Sequence, residues 1–128
     1  MEILARRESP DGELVLVAIR AIETDGSVAV IVGFEGLAWH VHPELFMEPA
    51  GRSVEEMALD LVRDVVSDQM LIVSITTADG RIYRLVDTLE DEIDYKLNDE
   101  TLEFRFWSGR RATLEQLITG EVPFKPLA

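Results

Sequence analysis

Two histidines, His40 and His42, are the only imidazoles in the chain, and a single valine separates them. On a strand, alternate residues share one face, so both side chains could reach the same metal ion. Glu44 follows two residues later and would add a carboxylate oxygen. Alternatively, the pair lies near a loop, with one imidazole packed beside Trp39 and the other solvated. One hypothesis is therefore a metal-dependent enzyme or small-ligand binder centred on His40, His42 and Glu44.

The stretch from Gly33 to Gly51 resembles the first metal-binding motif of the cupins. In that motif a glycine precedes a His-x-His pair, and a glutamate and a second glycine follow. Here the glycines and Glu48 stand at different spacings, and a second cupin motif would need a third histidine that the chain lacks. The metal hypothesis therefore depends on the histidine pair itself, and we predict no cofactor.

Asp94-Tyr95-Lys96 is similar to the D-x-K element of many metal-dependent nucleases, in which a helix carries a further acid. Glu55 or Glu56 and Asp79 would take the remaining acidic roles in such an enzyme. Alternating acid and lysine on a solvated strand face explains the tripeptide equally well. The sequence contains no nucleophile motif and no phosphate-binding glycine loop. We therefore predict no catalytic residue.

The chain is strongly acidic, with 25 Asp and Glu against 12 Lys and Arg, and its formal net charge is −13. Such a chain repels phosphate backbones, so nucleic acid is not expected as a partner. A basic protein, in contrast, would be steered toward it. The alternative is that the charge serves solubility alone.

An acidic cluster precedes the last β-like segment and comprises Asp87, Glu90, Asp91, Glu92 and Asp94. It lacks the glycine and the periodic oxygen ligands of an EF-hand loop. It is either a solvated face or a docking surface for a basic partner. We predict Glu90, Asp91, Glu92 and Asp94 as partner-binding residues.

Alternation in residues 101–107 predicts a strand with Leu102, Phe104 and Phe106 toward the core. Arg105 and Trp107 fall on the opposite, water-facing side. A tryptophan beside arginines has the composition of an interface hot spot, so both are predicted partner-binding residues. The alternative is that the final helix covers Trp107 and that the arginines balance local acid.

The stretch from Arg52 to Gln69 has the apolar spacing of a helix, because apolar residues recur at steps of three and four. Ser53 is a favourable N-cap, and Glu56 three residues later completes a capping box. Leu59 and Val66 widen the apolar arc. We therefore expect a sheet to cover the main face and a loop or second subunit to cover the flank.

Three β-hairpins are predicted from the turn residues. Their connections are Thr24-Asp25-Gly26-Ser27, Ala78-Asp79-Gly80 and Asn98-Asp99-Glu100. Shorter strands are expected at 2–6 and 37–42, and a final helix at 113–119. The fold class is α+β: a largely antiparallel β-sheet built from three hairpins, packed on one central α-helix, with a short C-terminal helix. Residues 1–128 are predicted to form one domain.

No segment is apolar enough over its length to cross a bilayer, the N-terminus lacks signal-peptide features, and cysteine is absent. We therefore expect a cytoplasmic protein without membrane contact. The best functional hypothesis is a small acidic domain that binds a protein and catalyses nothing, of the immunity or inhibitor type, masking a basic partner. The third hypothesis, beside the metal hypothesis, is a homo-oligomeric structural protein such as a homodimer. This hypothesis is based on the wide apolar arc of the predicted helix and on Trp107.

Overall fold

The computed structural model describes residues 1–89 and 101–127. These residues form two four-stranded antiparallel sheets and two α-helices, which confirms the predicted α+β class. The elements are β1 (Glu2–Glu8), β2 (Val15–Ile22), β3 (Val28–Phe34), β4 (His40–Val41), a 3₁₀ turn (Pro43–Leu45), α1 (Val54–Val66), β5 (Ile72–Thr77), β6 (Gly80–Leu85), β7 (Thr101–Arg105), β8 (Arg111–Ala112) and α2 (Leu114–Ile118). No helix among the described residues is long and apolar enough to span a membrane.

The first sheet has the strand order β1-β2-β3-β4, and every neighbouring pair is antiparallel. Its central hairpin joins β2 to β3 where the sequence predicts a turn. The Glu23 amide donates to the Ser27 carbonyl over 2.8 Å, which leaves a three-residue loop. Gly26 takes a φ of +86°, whereas Asp25 does not enter the left-handed region. The predicted turn is therefore a three-residue loop and not the two-residue primed turn that Asp-Gly commonly forms.

Helix α1 packs on one face of the first sheet, which we call the inner face. Ser53 caps the helix as predicted, since its hydroxyl accepts from the Glu56 amide over 3.1 Å. The buried helical residues are Met57, Ala58, Leu61, Val62 and Val65. Ala58, Leu61, Val62 and Val65 share a core cluster with inner-face residues such as Leu16, Ala18, Val30 and Val32. The apolar residues whose spacing predicted the helix are therefore those that pack against the sheet.

The second sheet has the order β6-β5-β7-β8 and is apolar on both faces near its centre. Ile72 and Leu85 face the core that contains α1, whereas Val73 and Phe104 face a second core. Leu117 of α2 lies in that second core, and Val122 and Phe124 pack against it. The predicted hairpins therefore lie in two sheets and not in one. The second sheet has a buried core on each of its faces.

Two of the three predicted hairpins are confirmed, β2–β3 and β5–β6. The predicted capping box of the final helix is also present, with Thr113 and Gln116 bonded reciprocally. The first strand of the third hairpin and its turn lie outside the described residues. Its second strand is β7. The predicted strand at 37–42 is reduced to the two residues of β4.

Candidate functional site

The histidine pair lies at the edge of the first sheet, where β4 pairs with the end of β3. His40 stands opposite Gly33 in this ladder. A Cβ atom at Gly33 would lie only 2.5 Å from the Trp39 carbonyl oxygen, so only glycine lets β4 approach this closely. Gly33 therefore fixes the position of the segment that carries both histidines.

The two imidazoles contact each other edge to face, with ring centroids 5.7 Å apart. His40 Nδ1 lies 3.1 Å from the Leu37 carbonyl oxygen, and His42 Nδ1 lies 3.8 Å from Glu44 Oε1. The structure thus brings all three predicted metal ligands into one neighbourhood. Among the described residues, however, no three His, Cys, Asp or Glu side chains are arranged to hold a metal ion. Metal binding at this pair stays a prediction.

The face of the first sheet that lies opposite α1, which we call the outer face, is aliphatic. Residues directly opposite each other in an antiparallel pair share a face. Ile19 pairs with Ile3 on one side and Ile31 on the other, and Ala21 pairs with Ala29. By this register the apolar residues of the outer face are Ile3, Val15, Val17, Ile19, Ala21, Ala29 and Ile31.

None of these seven side chains contributes to either buried core of the described residues. Ile3 is 58% exposed, whereas Ile19, which pairs with both Ile3 and Ile31, is 6% exposed. The other five are half-buried. The outer face is thus a contiguous aliphatic surface.

Carboxylates border the outer face at both ends of β2. Glu8 and Glu35 lie at one end of β2, and Glu23 and Asp25 lie at the hairpin end. All four are exposed. The Ser27 hydroxyl and amide donate to Asp25 and hold the pKa of that carboxyl below its ordinary value, so it is ionised at neutral pH. The rim is therefore anionic.

One ion pair crosses the outer face. Arg6 lies opposite Val17 on β1, and the Glu35 amide donates to the Val15 carbonyl from the far side of β2. The Arg6 and Glu35 side chains are 3.6 Å apart and therefore pass over β2. Both are about half exposed or more, so the pair is weak and opens at little cost.

Arg105, a predicted partner-binding residue, is fully buried at 0% exposure. Its Nη1 donates to Asp11 over 2.6 Å and to Glu13 over 2.7 Å, and its Nη2 donates to the Trp107 carbonyl over 3.1 Å. The guanidinium holds the pKa of Asp11 well below its usual range, with help from the Ser9 hydroxyl. Arg105 therefore acts as a clamp between the second sheet and the turn that precedes β2.

Trp107 is 5% exposed and is therefore buried, although the final helix is not what covers it. Its cover is the core that α1 and both sheets share, whereas Leu117 of the final helix belongs to the other core. Arg105 pairs with Ile72, and Trp107 lies two residues further on the same side. Near Ile72 that side of the second sheet faces the core that the first sheet and α1 share. Neither Arg105 nor Trp107 is presented at the surface.

A groove of about 440 Å³ lies between α1 and the C-terminal tail. Its charged groups bond each other: Arg52 contacts Asp60 at 2.7 Å, and Lys125 contacts Asp64 at 2.6 Å. The Arg52 guanidinium also holds the pKa of Asp60 below its ordinary value. These groups are therefore engaged in holding the loop and the tail against the helix.

Glu90, Asp91, Glu92 and Asp94 lie outside the described residues, so their predicted role in partner binding stays a prediction. The outer face was missed in the sequence, although its signal was present: β2 and β3 are apolar at both alternating sets of positions. Such a pattern is typical of a hairpin that other elements cover on both faces. Comparison with known proteins finds no matching family model, no matching curated protein and no matching solved structure.

Proposed function

We propose that this protein is a small acidic domain that binds a basic protein and catalyses nothing, in the manner of an immunity protein or inhibitor that masks a basic surface. The observation that supports the proposal is the pairing of its cations. Eight of its twelve Lys and Arg side chains form ion pairs with carboxylates within the described residues. They are Arg6, Arg20, Arg52, Arg63, Arg81, Arg105, Arg111 and Lys125.

This pairing concentrates the acidic excess at the surface. Arg105 lies fully inside the protein, and Arg81 and Arg111 both contact Glu103. Exposed carboxylates such as Glu8, Glu48 and Glu121 have no cationic partner among the described residues. A surface of one sign speeds the encounter with an oppositely charged protein by long-range attraction, which salt screens. Binding to a basic partner is thus the activity that this charge distribution favours.

Native mass spectrometry of untagged protein, purified gently from its own host, tests the proposal. We expect a heteromeric complex whose second subunit is basic. A species that carries metal would instead support the hypothesis centred on His40 and His42, and a bare monomer at every salt concentration would contradict partner binding.

The predicted acidic cluster is tested with the partner thus identified. Replacing Glu90, Asp91, Glu92 and Asp94 by their amides should slow association, measured by stopped-flow at low salt. A matched variant neutralises four carboxylates elsewhere, Glu48, Asp79, Glu115 and Glu121. Equal association rates for the two variants would assign the effect to net charge rather than to the cluster.

A further inference from the structure

We infer that the basic partner docks on the outer face of the first sheet, through an apolar patch of its own that lysines or arginines flank. This inference rests on the proposed function and adds the surface and its chemistry. It follows from three properties of the described residues: an aliphatic centre, an anionic rim and a weak ion pair that crosses the face.

The centre of the outer face has the composition of a protein core. Ile19 lies between Ile3 and Ile31, and Val17 and Ala21 flank it along β2. Helix α1 already covers the inner face, so these aliphatic side chains add nothing to the described cores. Burying them against a partner would remove apolar surface from water, which favours association. An aliphatic sheet face with polar borders is a typical site of protein association.

The rim selects the partner by charge. Glu8, Glu23, Asp25 and Glu35 are exposed around the face, and Arg6 lies on it among the described residues. A second copy of this chain would bring an identical anionic rim against the first, and like charges brought together oppose docking. A patch that lysine or arginine surrounds meets each of these carboxylates with opposite charge. The charge pattern thus favours a basic partner over a second copy.

The ion pair between Arg6 and Glu35 is a site at which a cation of the partner can replace Arg6. In the free protein Arg6 lies beside Glu35 at 3.6 Å, above β2. A cation from the partner can replace Arg6 at the Glu35 carboxylate, because the exposed pair contributes little stability. The displaced Arg6 moves to solvent and uncovers Val15 and Val17. Glu35 is therefore expected to contribute to affinity, and Arg6 to oppose it.

The test uses the complex retained from the host, with its basic subunit identified and then purified. Isothermal titration calorimetry compares the wild type with Ile31→Asp, which places a charge at the centre of the face. Ile118→Asp in α2 is the control, because Ile118 is 58% exposed and lies on the second sheet's side of the molecule. We expect Ile31→Asp to weaken binding at least about 100-fold and Ile118→Asp less than about threefold.

A milder double variant controls for misfolding of Ile31→Asp. Val17→Ala with Ile31→Ala keeps the strand apolar and should still weaken binding about tenfold or more, with an unchanged circular dichroism spectrum. Glu35→Gln should weaken binding several-fold at low salt, whereas Arg6→Gln should strengthen it.

Each outcome decides between the inference and its alternatives. A basic partner that binds Ile31→Asp and the double alanine variant like the wild type would overturn docking on the outer face and leave the proposed function intact. A homodimer that Ile31→Asp dissociates would assign the face to a second copy and overturn the basic partner. A neutral or acidic partner would contradict the proposed function as well as the inference.

Discussion

Arg105 and Asp11 form an ion pair of 2.6 Å that joins residues 94 positions apart in the chain. The pair connects the end of β7 to the turn between β1 and β2, so it ties the second sheet to the first. Arg105 is fully buried, and Glu13 and two backbone carbonyls complete its hydrogen bonds. A buried guanidinium needs such partners, because an uncompensated buried charge is strongly destabilising.

Replacing Asp11 by asparagine should destabilise the fold by about 2 kcal/mol at pH 7, because it removes one of the two carboxylates of a buried arginine. Glu13 still contacts Arg105 and limits the loss. The measurement is urea unfolding followed by tryptophan fluorescence. Asp79→Asn, at the exposed β5–β6 turn, is the control and should cost less than about 0.5 kcal/mol. Equal losses for the two variants would contradict the clamp.

The same carboxylate gives stability a dependence on acid. The pKa of Asp11 is lowered in the folded state, so its contribution is present above its ordinary value of 3.8 and is lost as pH falls toward the lower folded value. The wild type should therefore lose stability below about pH 4 more steeply than Asp11→Asn. Unfolding midpoints at a series of pH values between neutral and acid check this. A difference between the two proteins that stays constant with pH would refute it.

Gly33→Ala should destabilise the protein more than Gly26→Ala. A Cβ at Gly33 would lie 2.5 Å from a backbone oxygen, which cannot move without shifting β4, whereas a Cβ at Gly26 has open space. We expect a loss of about 2–3 kcal/mol at Gly33, from overpacking. Gly26 has a φ of +86°, so alanine there should cost about 1 kcal/mol through backbone strain alone. Thermal unfolding ranks the two, and the reverse order would contradict the close approach.

The sequence predicted the elements whose signal is local. Ser53 and the apolar spacing that ends at Val65 define α1, and Thr113 with Gln116 defines the start of α2, because caps and periodicity act within a few residues. The Asp-Gly hairpins were predicted for the same reason. The elements that pack against each other in the two cores were not predicted. Hydrophobic spacing indicates that a face is buried but not which layer covers it.

Arg105 and Trp107 illustrate the limit for site residues. Alternation placed both on the opposite side from Phe104 and Phe106, which is correct, but both sides of β7 are buried at this end. The partners of Arg105 lie in a turn 92 and 94 positions earlier, and no local pattern relates them. For the outer face the sequence shows the aliphatic residues. It does not show that α1 covers only the inner face.

The two faces of β3 should respond differently to the same substitution. Val32 is fully buried against α1, so Val32→Thr, which keeps the shape and adds a hydroxyl, should cost about 2 kcal/mol. Ile31 lies on the outer face and is half-buried, so Ile31→Thr should cost less than about 1 kcal/mol in the isolated protein. Urea unfolding measures both. A loss at Ile31 as large as that at Val32 would mean that another layer covers the outer face.

Leu59 and Leu61 lie on differently exposed sides of α1. Leu61 is 2% exposed and packs in the core, whereas Leu59 is 43% exposed on the same helix. Leu61→Ala should therefore cost about 2–5 kcal/mol through the cavity it leaves, and Leu59→Ala less than about 0.5 kcal/mol. Both replacements introduce alanine into the same helix, so helix propensity is matched. Urea unfolding at two protein concentrations, about tenfold apart, separates monomer stability from association. A large, concentration-dependent loss at Leu59 would show that a second subunit covers this flank, as the homo-oligomer hypothesis requires.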